Sequence, residues 1–379
     1  MILLLSAVAL TGCDTVRAGT RCKAGAAPGR DATHVLFCQG GKWKRVMTIG
    51  QAADFILGTI PGAVTPVNAT ATVKAGDQLS LAVAFTVTSR TGKPLPKAKV
   101  TLSAPSTGAG LVPSAELSGV TGDDGRVWFP KAVINNALGS FTLTAKVDGS
   151  DVAGTVAVTV VAGEPAAITI VSGQGQTATV GTALGAPMSA RVTDARGNPV
   201  SGKSVGVYYS GGLQSGNPPK AVLTTDANGV VVTTLPVSAP TTPGSFPVYF
   251  EVERTSYFAT FNHTVVVGSP DTITPEGPSP LTAVHDQAFA DPLQVLVKDR
   301  YGNAISGATV TFTAPSSGAT AVLAAPTAVT GTDGRASVTA TAGSTVGTYQ
   351  VSVAAGSANS SVSMQIGRAS CRERVSECV

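Results

Sequence analysis

Few side chains in this sequence belong to the types that do chemistry, and their spacing limits what they can do. Three histidines, His34, His263 and His285, stand far apart, and none sits in a cluster of cysteines or carboxylates at a recognisable ligand spacing. They read as surface or strand-lining residues. The carboxylates of turns such as Asp123-Asp124-Gly125 suit a hard cation. They lack the ligand count and spacing of an EF-hand, however, and a tight turn needs Asp and Gly in any case, so calcium between domains is the lesser alternative. Gly173-Gln174-Gly175 lacks the rest of a dinucleotide fingerprint and precedes no helix; no nucleophile elbow or phosphate loop occurs. The sequence therefore predicts no catalytic residue, no cofactor and no metal site, and the chain reads as non-enzymatic.

A second group of interest is aromatic. Tyr208, Tyr209, Tyr249, Phe250, Tyr257, Phe258 and Phe261 crowd one stretch, and aromatics on an exposed sheet face can stack on sugars or anchor a protein partner. Alternation with Val248 and Val252 turns Phe250 inward and Tyr249 outward. Tyr208, Tyr249 and Tyr257 are the outward candidates for ligand contact; the competing reading places most of the group in the core or in cross-strand pairs. The formal net charge is +4 and only 13% of residues are charged. No Lys/Arg cluster interleaved with aromatics is evident, so the electrostatic footprint of a nucleic-acid binder is missing.

Both ends carry processing or cloning signals. Residues 2–10 are a short apolar run followed by Leu10-Thr11-Gly12-Cys13, which resembles the lipobox of bacterial lipoprotein signal peptides. No Lys or Arg precedes the run, and it is far shorter than the ~20 residues of a spanning helix. The resemblance implies loss of residues 1–12, a diacylglycerol on the Cys13 thiol, and a chain anchored outside the cytoplasm to a bacterial membrane. At the other end, Ile366 to Val375 back-translates without strain to a common short-read sequencing adapter, so residues 367–379 read as non-biological. Cys22 and Cys38 then remain as a pair. In an oxidising compartment a disulfide is the simplest reading, since a metal site would need more ligands than His34 adds.

The elements that must position these residues follow from glycine and valine patterns. Residues 13–58 form a small module too short to bury a core alone, with one helix-like stretch at residues 49–57 in which Ala52, Phe55 and Ile56 share a face. Residues 59–69 read as a linker. Beyond them the chain repeats itself: Gly92, Gly197 and Gly302 centre similar turns, so both intervals are 105 residues, the size of a whole domain. Strands with one buried face precede them (Leu79, Leu81, Val83, Phe85 and Val87; Met188, Ala190 and Val192; Leu293, Val295 and Val297), and second strands follow (Val100 and Leu102; Val205 and Val207; Val310 and Phe312). Strand, tight turn and strand are expected to form a hairpin. Turns around Gly125, Gly229 and Gly334, and an aromatic at Phe141, Phe246 or Tyr349, recur in each copy. About seven short strands per copy predict an all-β chain of three tandem β-sandwiches at residues 70–163, 164–268 and 269–366.

Asp194-Ala195-Arg196-Gly197-Asn198-Pro199-Val200, Thr225-Asp226-Ala227-Asn228-Gly229 and Gly244-Ser245-Phe246 together resemble the bacterial Ig-like domain of the invasin/intimin type, group 1. The first copy, with Gly92-Lys93-Pro94, is more diverged. The resemblance implies Ig-like sandwiches displayed outside the cell, often as adhesin stalks, without catalysis. Three such domains end to end would reach on the order of 100 Å. The expected function is a cell-surface adhesin or display stalk, with an envelope glycan-binding module or an accessory arm of a longer exported enzyme as alternatives. The expected partners are a membrane through Cys13 and a surface protein or glycan, with no nucleic acid.

Overall fold

The computed structural model describes residues 14–79, 83–112, 117–130, 132–209, 218–234 and 236–368. The chain divides into two compact units, Met1–Glu164 with Thr193–Val200, and Pro165–Val192 with Ser201–Val379. Cys13 and the adapter-like residues from 369 onward lie outside the described residues.

In the first unit, strands Gly29–Arg30, His34–Gln39 and Lys42–Thr48 form an antiparallel meander. The loop between the last two is Gly40-Gly41, both with positive φ (61° and 76°), as the mirror-image turn of a two-residue hairpin requires. Helix α1, Ile49–Thr59, starts at a capping box: the Thr48 hydroxyl accepts the Gln51 N–H and the Gln51 side chain accepts the Thr48 N–H. Ala52 and Ile56 are buried, but Phe55 is 49% exposed, so only two of the three expected positions reach the core. Cys22 and Cys38 form the expected disulfide, their Cα atoms 5.8 Å apart.

The first sandwich follows. Its smaller sheet is Arg126–Trp128, Ala84–Ser89 and Pro61–Pro66; its larger sheet is Thr70–Lys74, Ala153–Val161, Gly139–Val147, Lys99–Ser103 and Leu117–Val120. Pro61–Pro66 was expected to be linker and is a strand instead, paired with Ala84–Ser89 at the sheet edge. Proline is tolerated there because an edge strand has N–H groups that need no partner.

The second sandwich repeats this plan. Pro165–Ser172, Ser189–Asp194 and Val230–Val232 face a five-stranded sheet of Thr177–Thr179, Phe258–Val266, Gly244–Val252, Ser204–Tyr208 and Ala221–Thr224. In the third sandwich Thr272–Glu276, Leu293–Lys298 and Arg335–Val338 face Leu281–Val284, Ala358–Gly367, Gly347–Ala355, Thr309–Thr313 and Thr327–Val329. Leu81 lies outside the described residues; the other inward residues read from the pattern are buried in all three copies, including Val87, Val192 and Val297, each 0% exposed.

The expected hairpin around each repeated glycine does not form. Ala84–Ser89 lies in the smaller sheet and Lys99–Ser103 in the larger, and the same holds for the equivalent strands of the other copies. The reason is packing: a sandwich needs apolar faces on two opposed sheets, whereas a hairpin would leave Val87 and Val100 on one sheet. The turn is therefore a corner. Gly92, Gly197 and Gly302 have φ of +78°, +82° and +85° with open space around them, so the glycine is required by conformation alone.

Register aligns the cores position by position. Phe141 faces Val158, Phe246 faces His263 and Tyr349 faces Met364. Tyr349 is 8% exposed and its hydroxyl meets no partner among the described residues; burial pushes its pKa up to about 12. Since the other copies place Phe there, Tyr349→Phe is expected to raise stability by about 1 kcal/mol in a urea titration, because a desolvated hydroxyl costs that much or more.

His263 is 3% exposed, its Nδ1 3.2 Å from the Gln176 N–H and its Nε2 3.2 Å from the Met188 sulfur. Burial holds its pKa below the ordinary value. With the folded pKa depressed, the unfolded chain takes up the proton first, so stability is full above about pH 6.5 and falls as pH drops below it. Melting curves between pH 7 and 5 should show this loss in the native chain, and His263→Val should flatten it.

Candidate functional site

The 105-residue echo is built around a buried carboxylate. Asp194 and Asp299 are 4% and 2% exposed. In the second unit, Oδ1 of Asp299 accepts the N–H groups of Tyr301 at 2.9 Å and Asn303 at 3.0 Å, which shapes the turn. Oδ2 accepts the N–H of Gly268 at 3.1 Å, in the short segment joining the second sandwich to the third. The Asn303 amide donates to the same carboxylate and, at 2.8 Å, to the carbonyl of Thr241. A Cβ on Gly181 would collide with the Tyr301 ring. The third sandwich thus meets the second at Gly181, Thr241 and Gly268.

The first unit holds the same device. Oδ1 of Asp194 accepts from Arg196 at 2.8 Å and Asn198 at 2.9 Å, while Oδ2 accepts the N–H of Gly163 at 2.8 Å. The Asn198 amide donates to Asn136 Oδ1 at 3.1 Å, and the Arg196 guanidinium donates to the Gly76 carbonyl at 3.3 Å. In the first copy Ser89 occupies the carboxylate position and only serves its own turn, with Oγ 2.8 Å from Thr91 Oγ1. Helix α1 leads into that copy, and the Arg90 N–H bonds the Ile60 carbonyl instead. Burial pushes the Asp194 and Asp299 carboxyls up, but their donors outweigh it and hold both below the ordinary carboxylate value.

The Asp/Gly turns flanking the later strands are also engaged with backbone: Asp124, Asp226 and Asp333 each accept N–H groups two residues on. Among the described residues no group of three or more His, Cys, Asp or Glu could hold a metal ion, and no helix is long and apolar enough to cross a membrane.

Of the aromatic candidates, the structure brings two together and adds a third. Tyr208 is the register partner of Tyr249, and both are half-buried on the outer face of the larger sheet. Phe258, on the next strand, is 54% exposed with its ring 6.4 Å from that of Tyr249 at 65°. The Tyr208 ring lies over Gly206, where a Cβ would meet it at 2.8 Å. Burial first, then its hydrogen bond to Glu251, raises the Tyr208 pKa. Tyr257 stands apart from the row, exposed before the strand, with its N–H donated to Thr255 Oγ1. Phe250 points inward as expected, 4.7 Å from Phe261. The signal for Phe258 was parity: it is three residues from buried Phe261 and so faces the opposite side.

The Asp299 clasp is testable. Asp299→Ala leaves several N–H groups without their acceptor and is expected to cost about 3 kcal/mol in the transition of the second unit. Because the folded pKa lies below the unfolded one, the contribution is full above about pH 4 and disappears as pH falls further. The acid limb of the stability curve should be shallower in Asp299→Asn than in the native chain.

Among solved structures, the Escherichia coli adhesin FdeC is 18% identical and aligns over 80% of this chain and 96% of its own, with a TM-score of 0.44. Invasin, described as a bacterial integrin-binding protein, is 20% identical over 76% of this chain and 56% of its own, with a TM-score of 0.41. The Yersinia pseudotuberculosis adhesin InvE is 18% identical over 53% and 58%, with a TM-score of 0.26. No curated protein matches the chain. Residues 279–367, the greater part of the third sandwich, match the family of bacterial Ig-like domains, group 1.

Proposed function

We propose that the chain is a non-catalytic bacterial surface lipoprotein, anchored through Cys13, whose Ig-like repeats act as an adhesin or display stalk. The observation that carries this reading is the junction inside the second unit. There the connecting Gly268 N–H is held by buried Asp299 and the Thr241 carbonyl by Asn303, so neighbouring sandwiches are joined by directed hydrogen bonds in addition to the chain itself. Such a joint suits a part that holds something in place. The buried carboxylates are engaged with backbone N–H groups, which is a structural use and leaves them no role as acid or base. The match of residues 279–367 to bacterial Ig-like domains supports display outside the cell.

A second reading, binding of envelope glycan, is favoured by the row of Tyr208, Tyr249 and Phe258, because aromatic faces with a nearby carboxylate such as Glu251 suit sugar rings. The two readings separate in one experiment. Epitope-tagged chain expressed in a bacterial host is expected in the membrane fraction and open to antibody on intact cells, and Cys13→Ala should release it. Purified chain is expected to bind host cells or extracted matrix. If it binds neither and is retained by cell-wall polysaccharide, the glycan reading replaces the adhesin one. In that case single Ala substitutions at Tyr208, Tyr249 or Phe258 should weaken retention more than tenfold, and Tyr257→Ala should leave it unchanged.

A further inference from the structure

Charge is unevenly placed along this chain. Residues 14–59 hold seven Lys and Arg against three Asp; with totals of 26 and 22, the rest of the chain carries nineteen of each sign. The entire net charge of +4 therefore belongs to the small N-terminal module. The fold concentrates it further. The segment around residues 19–22 adds to the free edge of strand Lys42–Thr48: the Gly19 N–H donates to the Trp43 carbonyl at 2.8 Å, the Trp43 N–H to Thr20 at 3.0 Å and the Cys22 N–H to Gly41 at 2.9 Å. Arg21 stands directly opposite Lys42. Cross-strand partners share a face, and so do residues two apart on a strand, so Arg21, Lys42 and Lys44 project from the same side. Lys23 lies two residues beyond Arg21, Arg17 lies in the turn by which the chain passes from the edge of Gly29–Arg30 to that of Lys42–Thr48, and all five are exposed.

Like charges placed directly opposite each other destabilise a sheet. None of these five makes an ion pair among the described residues. Of the three acids in the module, Asp31 is held by Arg45 at 2.7 Å, Asp54 is on helix α1, and Asp14 lies beside Arg30 on the other side of the meander. A cluster that costs stability and lacks an internal counter-charge is built for an external anion. Position identifies which one. Arg17 and Arg21 are four and eight residues beyond Cys13, so at ~3.6 Å per residue they lie within about 14 and 29 Å of it. With an acyl chain on Cys13, that distance puts the cluster at the headgroup layer, where surface potential acts over about a Debye length.

We propose that Arg21, Lys23, Lys42 and Lys44, with Arg17 in the adjoining turn, form a basic surface that docks the N-terminal module on anionic phospholipid headgroups. The proposal rests on the lipid-anchor reading for its orientation. A lipid chain gives a first attachment and a basic face the second, the combination that makes peripheral anchoring stable and holds the first domain against the membrane.

The test uses the full chain as Cys13→Ser, which cannot be acylated, sedimented with phosphatidylglycerol–phosphatidylcholine vesicles or with phosphatidylcholine alone. Binding is expected only to the anionic vesicles and should fall steeply with salt. At about 1 kcal/mol per basic residue near the surface, Lys42→Gln or Lys44→Gln should each lower the partition coefficient about fivefold, and the double variant about 25-fold. Lys146→Gln, in the first sandwich, should change nothing. Circular dichroism and the intact Cys22–Cys38 bond establish that the variants are folded. Equal binding to neutral vesicles, or no binding to anionic ones, overturns the proposal; competition by inorganic polyphosphate without vesicle binding assigns the face to a soluble polyanion instead. Mass spectrometry of the native protein tests the anchor separately. Vesicle binding with an unacylated Cys13 removes the anchor and keeps the face, and an acylated Cys13 without vesicle binding removes the face alone.

Discussion

The central strands of the three sandwiches carry a single buried apolar face, and burying that face is the constraint from which the rest of the architecture follows. A lone sheet would leave its Val, Leu and Phe side chains in water, at roughly 1.5–3 kcal/mol each. Two sheets closed over one layer remove that cost without any disulfide inside the repeats. The layer is maintained by pairing residues of complementary size across the larger sheet: Phe141 with Val158, Phe246 with His263, Tyr349 with Met364. Volume is kept approximately while chemistry drifts, which cores tolerate. The drift leaves marks, namely an imidazole in the second core and a phenol hydroxyl in the third.

Closing two sheets forces the chain to change sheets at a corner, and the corner is where the repeated glycines stand. Once the turn must be tight, its own N–H groups need acceptors, and an Asp at its first position supplies two oxygens. One oxygen satisfies the turn. The other is free to reach beyond it, and in Asp194 and Asp299 it accepts a glycine N–H from the preceding connection. Ser89 shows the limit of this logic, because its one oxygen is engaged within its own turn, with Thr91 Oγ1 and the Lys93 carbonyl, and there is no second oxygen to point outward. In the second unit a device for turning the chain has thereby become a device for fixing one sandwich to the next.

The inward positions, the turn glycines and the disulfide were legible because each is dictated locally: period-2 burial, positive φ, and an even pair of cysteines. The partnership of strands was not. Whether Val87 and Val100 share a sheet depends on what covers them, and nothing within fifteen residues of Gly92 states it. Pro61–Pro66 hid as a linker because prolines mask a strand that sits at an edge. Phe55 looked like core from its spacing to Ala52, yet a short helix buries only a narrow stripe. Tyr257 is exposed, as the outward reading has it, but precedes the strand, and Phe258 was overlooked although its odd spacing from buried Phe261 turns it outward. The basic face escaped notice for a different reason: its members come from two stretches about twenty residues apart, which only the strand edge brings together.

The N-terminal module follows other rules than the sandwiches, and its disulfide connects the two reasons why. Some forty-five residues cannot bury enough apolar surface to hold a fold unaided, so a covalent cross-link is needed where the repeats need none. The link joins Cys22, on the added segment, to Cys38, on the strand beside Lys42–Thr48. That choice of position matters electrostatically. Arg21 and Lys42 repel each other, and three hydrogen bonds along an exposed edge are a modest restraint on two like charges. A covalent bond one residue from Arg21 removes the option of peeling away, so the repulsion is retained in the folded state and relieved only by an anion. The same bond that lets so small a module fold keeps its charges concentrated on one face, next to the residue at which the lipid anchor is proposed.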